Sequence, residues 1–234
     1  MPTAQPVAIA RHPHLASPLR PGWVRVDLHS HTMWSGDSTT TPDEIEQAVV
    51  ESGIDVLCIT DHNAIKGAVQ LASSLPCRVI VGSELKTHAG EIIGLFLRDH
   101  IPFGAPPREA AEAIRGQGGV VYVPHPFDPM RRNLSRAALD DLVGAGLVDA
   151  IEVINAKTSL RSLNDEAAAY AAEHGLLAGA GSDAHVPDAL GAAYAEMPDF
   201  DGPTSFLLAL AEAVPAGHHW DEARPWKARI IPST

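Results

Sequence analysis

The chain is poor in the features that would tie it to an oxidising compartment, a membrane or a long polyanion. Its two cysteines, Cys58 and Cys77, stand alone and match no paired metal or redox motif, so reduced thiols in a cytoplasmic protein are expected. No stretch approaches the roughly 18 apolar residues of a membrane span. The leader holds Pro2, Pro6, Pro13, Pro18 and Pro21 and lacks the continuous apolar centre of a secretory signal. Residues 1–22 therefore read as a poorly ordered extension, followed by one domain over 23–234. Basic residues are few: 17 Lys and Arg against 29 Asp and Glu give a formal net charge of −12. That argues against tight, nonspecific binding of long nucleic acid through a broad basic face. A short oligonucleotide end or a small phosphorylated metabolite remains open as a partner. No internal repeat or low-complexity segment is visible, and 234 residues with 45% hydrophobic content suffice for a sizeable core.

What is abundant is histidine and carboxylate at the ends of apolar runs. Asp27-Leu28-His29-Ser30-His31 follows the run Trp23–Leu28, and Gly181-Ser182-Asp183-Ala184-His185 follows Leu176–Ala180. Each places metal-binding side chains two residues apart, which on a strand puts them on one side. Asp61-His62, Glu84, Glu91 and His125 also follow apolar runs. Imidazole mixed with carboxylate suits zinc, manganese or iron.

Strands are expected at Val24–Leu28, Val56–Thr60, Arg78–Gly82, Ile92–Leu97, Val120–Val123, Ala150–Ile154 and Leu177–Ala180. The first helix is bounded by Thr41 as N-cap, Pro42, Glu44 in a capping box and Gly53 past its end. Further helices are expected near Ala64–Ser74, Pro107–Gln117, Ser135–Gly144, Leu160–His174 and Thr204–Ala213. This alternation points to a mainly parallel sheet or a barrel with helices outside. The Glu84–Glu91 link is too short for a helical crossover, so regular alternation should break there. In a barrel the candidate ligands, each following its strand, would converge on the C-terminal rim.

The ordered set resembles the PHP family, named for polymerase and histidinol phosphatase domains. It runs from His29-x-His31 and Ser35-Gly36-Asp37-Ser38 through Ile59-Thr60-Asp61-His62-Asn63 and Val81-Gly82-Ser83-Glu84. It continues with Gly90-Glu91-Ile92-Ile93-Gly94-Leu95 and Val123-Pro124-His125-Pro126, and closes on Gly181–His185. The resemblance spans about Val24 to Met197. It implies an α/β fold, a distorted (β/α)7 TIM-like barrel in a single domain, holding two or three divalent metal ions. The nine implied ligands are His29, His31, Asp37, His62, Glu84, Glu91, His125, Asp183 and His185. Glu84 would bridge two ions, with His29, His31 and Asp183 around one, Glu91 and His125 completing the second, and Asp37, His62 and His185 holding the third. Many relatives carry His where this chain has Glu91, so occupancy and metal preference there are open.

The activity so implied is metal-dependent phosphoesterase chemistry by an activated hydroxide. The substrate would be a phosphorylated metabolite, a nucleotide or a short oligonucleotide end. Two other readings stand beside it, a noncatalytic metal-binding partner domain and an amidohydrolase-like metal hydrolase. The latter usually carries a bridging lysine, and no lysine occupies a motif position. Arg131 and Arg132, after His125, offer a guanidinium fork to phosphate, and Lys157 is another phosphate contact; adjacent loop arginines are also commonly just solvated. Asp61 reads as a catalytic-site carboxylate or as a partner that orients a histidine. Glu152, inside an apolar strand, needs a buried partner. His88 could stand in for Glu91 but reads better as an exposed loop residue. The His12-x-His14 pair has no strand before it and reads as a decoy. Trp34 either walls the site or packs.

Overall fold

The computed structural model describes residues 12–220. The apolar runs become β1 (Trp23–Ser30), β2 (Val56–Ile59), β3 (Arg78–Thr87), β4 (Gly90–Leu95), β5 (Val120–Val123), β6 (Ala150–Asn155), β7 (Leu177–Gly181), β8 (Ala193–Pro198) and β9 (Val214–Gly217). Between them lie α1 (Pro42–Ser52), α2 (Lys66–Leu71), α3 (Pro107–Gly116), α4 (Arg136–Gly144), α5 (Arg161–His174) and α6 (Pro203–Leu210). The boundary signals of α1 operate as read. The Thr41 hydroxyl accepts from Glu44 N–H, the Glu44 carboxylate accepts from Thr41 N–H, and Gly53 takes φ 65° past the end. The second helix is shorter than expected, because Ser73, Ser74 and Pro76 break the pattern after Leu71.

The strands join in the order β7-β6-β5-β4-β3-β2-β1-β8-β9. β1 to β3 pair in parallel, as do β5 to β7, and β4 runs antiparallel to both of its neighbours. The short Glu84–Glu91 link is thus a hairpin, with Thr87 opposite Gly90. Seven of these strands match the expected ones. β8 and β9 were not expected: their alanine- and proline-containing sequences carry little strand signal, and their place is fixed by antiparallel pairing with β1 and with each other. The result is a mixed α/β single domain built on a nearly closed, barrel-like sheet. A buried cluster including Val26, Leu28, Cys58, Ile80, Ile93, Tyr122 and Met197 joins strands from across it. Other clusters bind α3 and α4 to β4–β6, and α1 and α2 to β2.

The closure decides where the site forms. The first half of β1, Trp23–Val26, pairs with β8, but its end swings to the segment after β7. Asp183 N–H donates to His29 O at 2.8 Å, and His31 N–H donates to Ala184 O at 2.9 Å. The fully buried Asp27 carboxylate fastens this seam, accepting from Ser182 N–H (2.9 Å), His29 N–H (3.2 Å) and Gly191 N–H (3.1 Å). Burial lifts its pKa to about 6 despite these three amides.

Part of the N-terminal extension touches the domain. His12 is buried, His14 Nε2 lies 2.8 Å from Ser52 O, and Arg25 Nη2 donates to Ser17 O at 2.9 Å. The rest of it, residues 1–11, lies outside the described residues, as do residues 221–234. Among the described residues no helix is long and apolar enough to cross a membrane.

Asp27→Ala leaves three buried amides without an acceptor. At roughly 1–3 kcal/mol per orphaned donor, we expect metal-free protein to lose about 3 kcal/mol or more, read from its urea midpoint. An unchanged midpoint would remove Asp27 from this role.

Candidate metal centre

The seam brings two distant motifs into contact. His29 Nε2 and His31 Nε2 lie 3.0 Å apart. Both face Glu84 Oε2, at 3.5 and 3.3 Å, and Asp183 Oδ1, at 3.8 and 3.5 Å. The other nitrogen of each ring is engaged elsewhere: His29 Nδ1 lies 3.2 Å from Glu152 Oε1, and His31 Nδ1 lies 2.9 Å from Ser35 Oγ. With Nδ1–H donated to Glu152, the lone pair of His29 stays on Nε2 and points inward.

Glu84 is the hub. Besides these two histidines, its carboxylate lies 2.9 Å from His125 Nε2 and 3.1 Å from His62 Nδ1. Glu91 approaches both, with oxygens 3.8 Å from His62 Nδ1 and 3.8 Å from His125 Nε2. On the outer side, Asp37 Oδ2 lies 3.2 Å from His62 Nε2 and 3.3 Å from His185 Nε2. All nine candidate ligands therefore meet in one place. Donor atoms converge in four overlapping groups: His29, His31 and Asp183; His29, Glu84 and His125; His62, Glu84 and Glu91; and His31, Asp37, His62 and His185. Glu84 belongs to two of them, while His31 joins the Asp37 group as well as its own.

Several of these groups are held in unusual states. Burial opposes charge on His29, but the carboxylates of Glu152, Asp183 and Glu84 outweigh it and raise its pKa well above the usual value. Burial likewise opposes charge on His125 and His62, and is outweighed mainly by Glu84 and by Asp37 respectively. His31 is pushed well below the usual range by burial and by neighbouring His185. Burial would raise Glu84, yet His29 and His125 hold it well below normal; Asp183 is similarly held down by Lys157 and His29. Glu91 goes the other way, to about 7, because burial and the Glu84 charge both disfavour its anion.

Such a crowd of lone pairs fits divalent cations. Four carboxylates and five imidazoles point inward, the Nδ1 atoms of the first two histidines are bonded outward, and buried His125 Nδ1 has no hydrogen-bond partner. Two candidate ligands sit on strained backbone, His125 at φ 27° and Asp183 at φ 49°. Such conformations cost on the order of 1–3 kcal/mol and persist where surroundings over-determine them. Here Glu152 Oε2 accepts from His125 N–H at 2.7 Å, and the seam holds Asp183 N–H. Gly181 lets β7 close against them: a Cβ there would strike His29 Cβ and lie 2.6 Å from Glu152 Oε1.

The remaining sequence candidates occupy supporting places. Asp61 accepts from Thr32 N–H and Thr32 Oγ1–H, both at 2.7 Å, and so fixes the turn after His31. Arg131 donates to Lys157 O at 2.7 Å. Arg132 has a largely exposed side chain whose Nε is 4.0 Å from Glu91 Oε1. Lys157 Nζ lies 2.9 Å from His185 Nδ1 and 3.5 Å from Asp183 Oδ1. His88 is exposed at the β3–β4 turn. Trp34 is half-buried, packed near Gly67 and with the α1–α2 cluster. Asn155 escaped notice in the sequence; its amide donates to Glu152 Oε2 at 2.9 Å and reaches Asp183 Oδ2 at 3.4 Å. Its place at the end of a strand carrying a buried carboxylate was the available signal.

An α/β barrel with this ring of imidazole and carboxylate at one rim is consistent with a multinuclear metal site. Residues 161–215, from α5 to β9, match the family described as PHP-associated. The chain is 40% identical over 146 residues to the uncharacterized protein MJ1587 of Methanocaldococcus jannaschii, covering 57% of this chain and 82% of that protein. It is 34% identical over 193 residues to the uncharacterized protein MJ0417 of the same organism, covering 79% and 78%. A solved two-domain protein from Bacteroides vulgatus, containing a predicted PHP-like metal-dependent phosphoesterase, shares the fold. That likeness has a TM-score of 0.65 at 19% identity, over 86% of this chain and 67% of that one. The chain belongs to the PHP domain family.

Glu152→Ala should weaken metal binding by about 10–100-fold while the protein stays folded, as read by metal titration against a competing chelator. Undiminished affinity would show that His29 needs no such partner. Metal ions must also displace the protons held by Glu91 and the raised histidines. Adding manganese to metal-free protein in weak buffer at pH 6.5 should therefore release protons, and affinity should fall as pH drops below about 7. Loading without proton release would contradict these assignments.

Proposed function

We propose that the chain is a metal-dependent phosphoesterase acting on small phosphorylated molecules or short oligonucleotide ends. The observation that carries this reading is the meeting of all nine candidate ligands, with a cation, Lys157, at their edge. Zinc, manganese or iron would fit the donors. When bound, a cluster of such ions supplies a water acidified to near neutral pH and a positive surface for phosphoryl oxygens.

The chain's own groups do the rest. His29, His31, Glu84 and Asp183 would hold one ion, Glu84 with Glu91 and His125 a second, and Asp37, His62 and His185 a third. Glu152 fixes the ring of His29 through Nδ1 and the backbone of His125 through its amide. His185 Nε2 is turned to Asp37, and its Nδ1 lies 2.8 Å from Asp183 O and 2.9 Å from Lys157 Nζ. The Lys157 ammonium then faces the site from beside the Asp183 carboxylate, where it suits a phosphoryl oxygen. Asp37, half-exposed, marks the open side by which a substrate would enter. The acidic surface favours small substrates over long nucleic acid.

Metal-free protein reconstituted with manganese, zinc or iron should hydrolyse p-nitrophenyl phosphate or bis-p-nitrophenyl phosphate. His185→Ala should lower kcat at least about 100-fold with its far-UV spectrum unchanged. Equal turnover by the variant at full metal loading would exclude the proposed site. Hydrolysis of p-nitroacetanilide in preference to both phosphate esters would instead favour amidohydrolase-like chemistry.

A further inference from the structure

The loops after β5 and β6 are fastened together by a carboxylate outside the ligand set. Asp128 is fully buried three residues beyond His125. Its Oδ1 accepts from Met130 N–H at 3.0 Å and from Ser159 Oγ–H at 2.7 Å. Its Oδ2 accepts from Ser159 N–H at 2.7 Å and Thr158 Oγ1–H at 3.4 Å. Its carbonyl accepts from Arg131 N–H at 3.0 Å. Burial opposes the charge, but the Ser159 hydroxyl and amide outweigh it and hold the carboxyl below its usual pKa. An ionised acceptor of this kind makes stronger hydrogen bonds than a neutral one.

The same loops carry cations close to the site, Arg131 and Lys157 among them. Arg131 reaches across to the Lys157 carbonyl, and Lys157 N–H donates to Asn155 Oδ1 at 2.8 Å. Lys157 Nζ, on a side chain only 12% exposed, sits 3.5 Å from Asp183 Oδ1. A long ammonium side chain loses much rotamer freedom when it is confined like this. Its placement therefore depends on a backbone that does not move, and the two loops have little regular structure of their own to supply that rigidity. Asp128 supplies it from the β5 side and the Arg131–Lys157 bond repeats it nearer the site.

We propose that Asp128 is a positioning residue: by locking the β5–α4 loop to the β6–α5 loop, it holds Lys157 and Arg131 where they receive the phosphoryl group. This rests on the phosphoesterase reading for the identity of the ligand. The residue touches neither substrate nor metal. It acts on affinity for phosphate rather than on the metal ions: its one bond to a candidate ligand, from Asp128 N–H to His125 O at 3.4 Å, is a backbone bond that a side-chain substitution leaves in place.

The test uses the whole chain loaded with manganese, with inorganic phosphate as the probe in calorimetry. Asp128→Ala should weaken phosphate binding about tenfold or more, roughly the 1.4 kcal/mol equivalent, with unchanged metal content. KM for p-nitrophenyl phosphate should rise by a similar factor, and kcat should change much less. Ser159→Ala, an exposed change that removes one bond of the clamp, should lose about threefold in the same direction and keeps the test alive if Asp128→Ala does not fold. In an Arg131→Ala, Lys157→Ala background, removing Asp128 should add little further loss. Unchanged phosphate affinity in both single variants, or an undiminished effect in that background, would overturn the proposal. A wild-type protein that binds phosphate but hydrolyses no ester would count against the phosphoesterase reading alone, since phosphate affinity reports on the clamp independently.

Discussion

Everything at the site depends on the seam between the end of β1 and the segment after β7. These segments are more than 150 residues apart in the chain, yet two backbone hydrogen bonds and the buried Asp27 carboxylate hold them edge to edge. Without that seam, His29 and His31 would have no Asp183 opposite them. Antiparallel β8 takes the first half of β1 and leaves its end free for this contact. The sheet is thus most nearly closed at the rim where the ligands lie.

The second constraint is electrostatic. Desolvated carboxylates and imidazoles gathered this closely repel or protonate one another unless something neutralises them. The opposed shifts within the cluster, Glu84 pushed down and Glu91 up to about 7, show this tension between neighbours. Glu152 and Asn155 stand behind it: one buried carboxylate orients His29, receives the strained His125 backbone and is itself held by Asn155. The outer part of the site is looser, for Asp37 is partly exposed and faces two histidines across the opening. A gradient from rigid, buried ligands to an accessible one suits a centre that must admit a substrate.

Much of this was legible in the sequence, for identifiable reasons. Candidate ligands that follow apolar runs announce a rim, and Thr41, Pro42, Glu44 and Gly53 mark a helix by local capping that tertiary packing does not override. β8 and β9 were illegible because Ala193–Pro198 and Val214–Gly217 owe their extended state to pairing partners distant in sequence. The continuation of β3 to Thr87 was missed for the same reason: Gly82 and Ser83 read as an end, whereas the hairpin with β4 carries the strand on. Nine candidate ligands and a partition of them among three ions were implied by the motifs, but not the further overlap between the groups. His31 and His62 each reach two groups, a matter of ring placement that spacing does not encode. Supporting residues such as Asn155 and Asp128 sit in loops and strand ends whose polar character has many ordinary explanations.

The central claim is that the seam assembles a multinuclear metal centre from these nine side chains. The most direct measurement is anomalous X-ray diffraction from crystals of the manganese- or zinc-loaded protein, which locates each ion and its ligands independently of any substrate. The account predicts two or three peaks within the cluster, separated by about 3.5–4 Å where Glu84 is shared, with His29, His31 and Asp183 around one of them. Full loading with every ion bound elsewhere on the chain, or a single ion that leaves Glu84 uncoordinated, would contradict it.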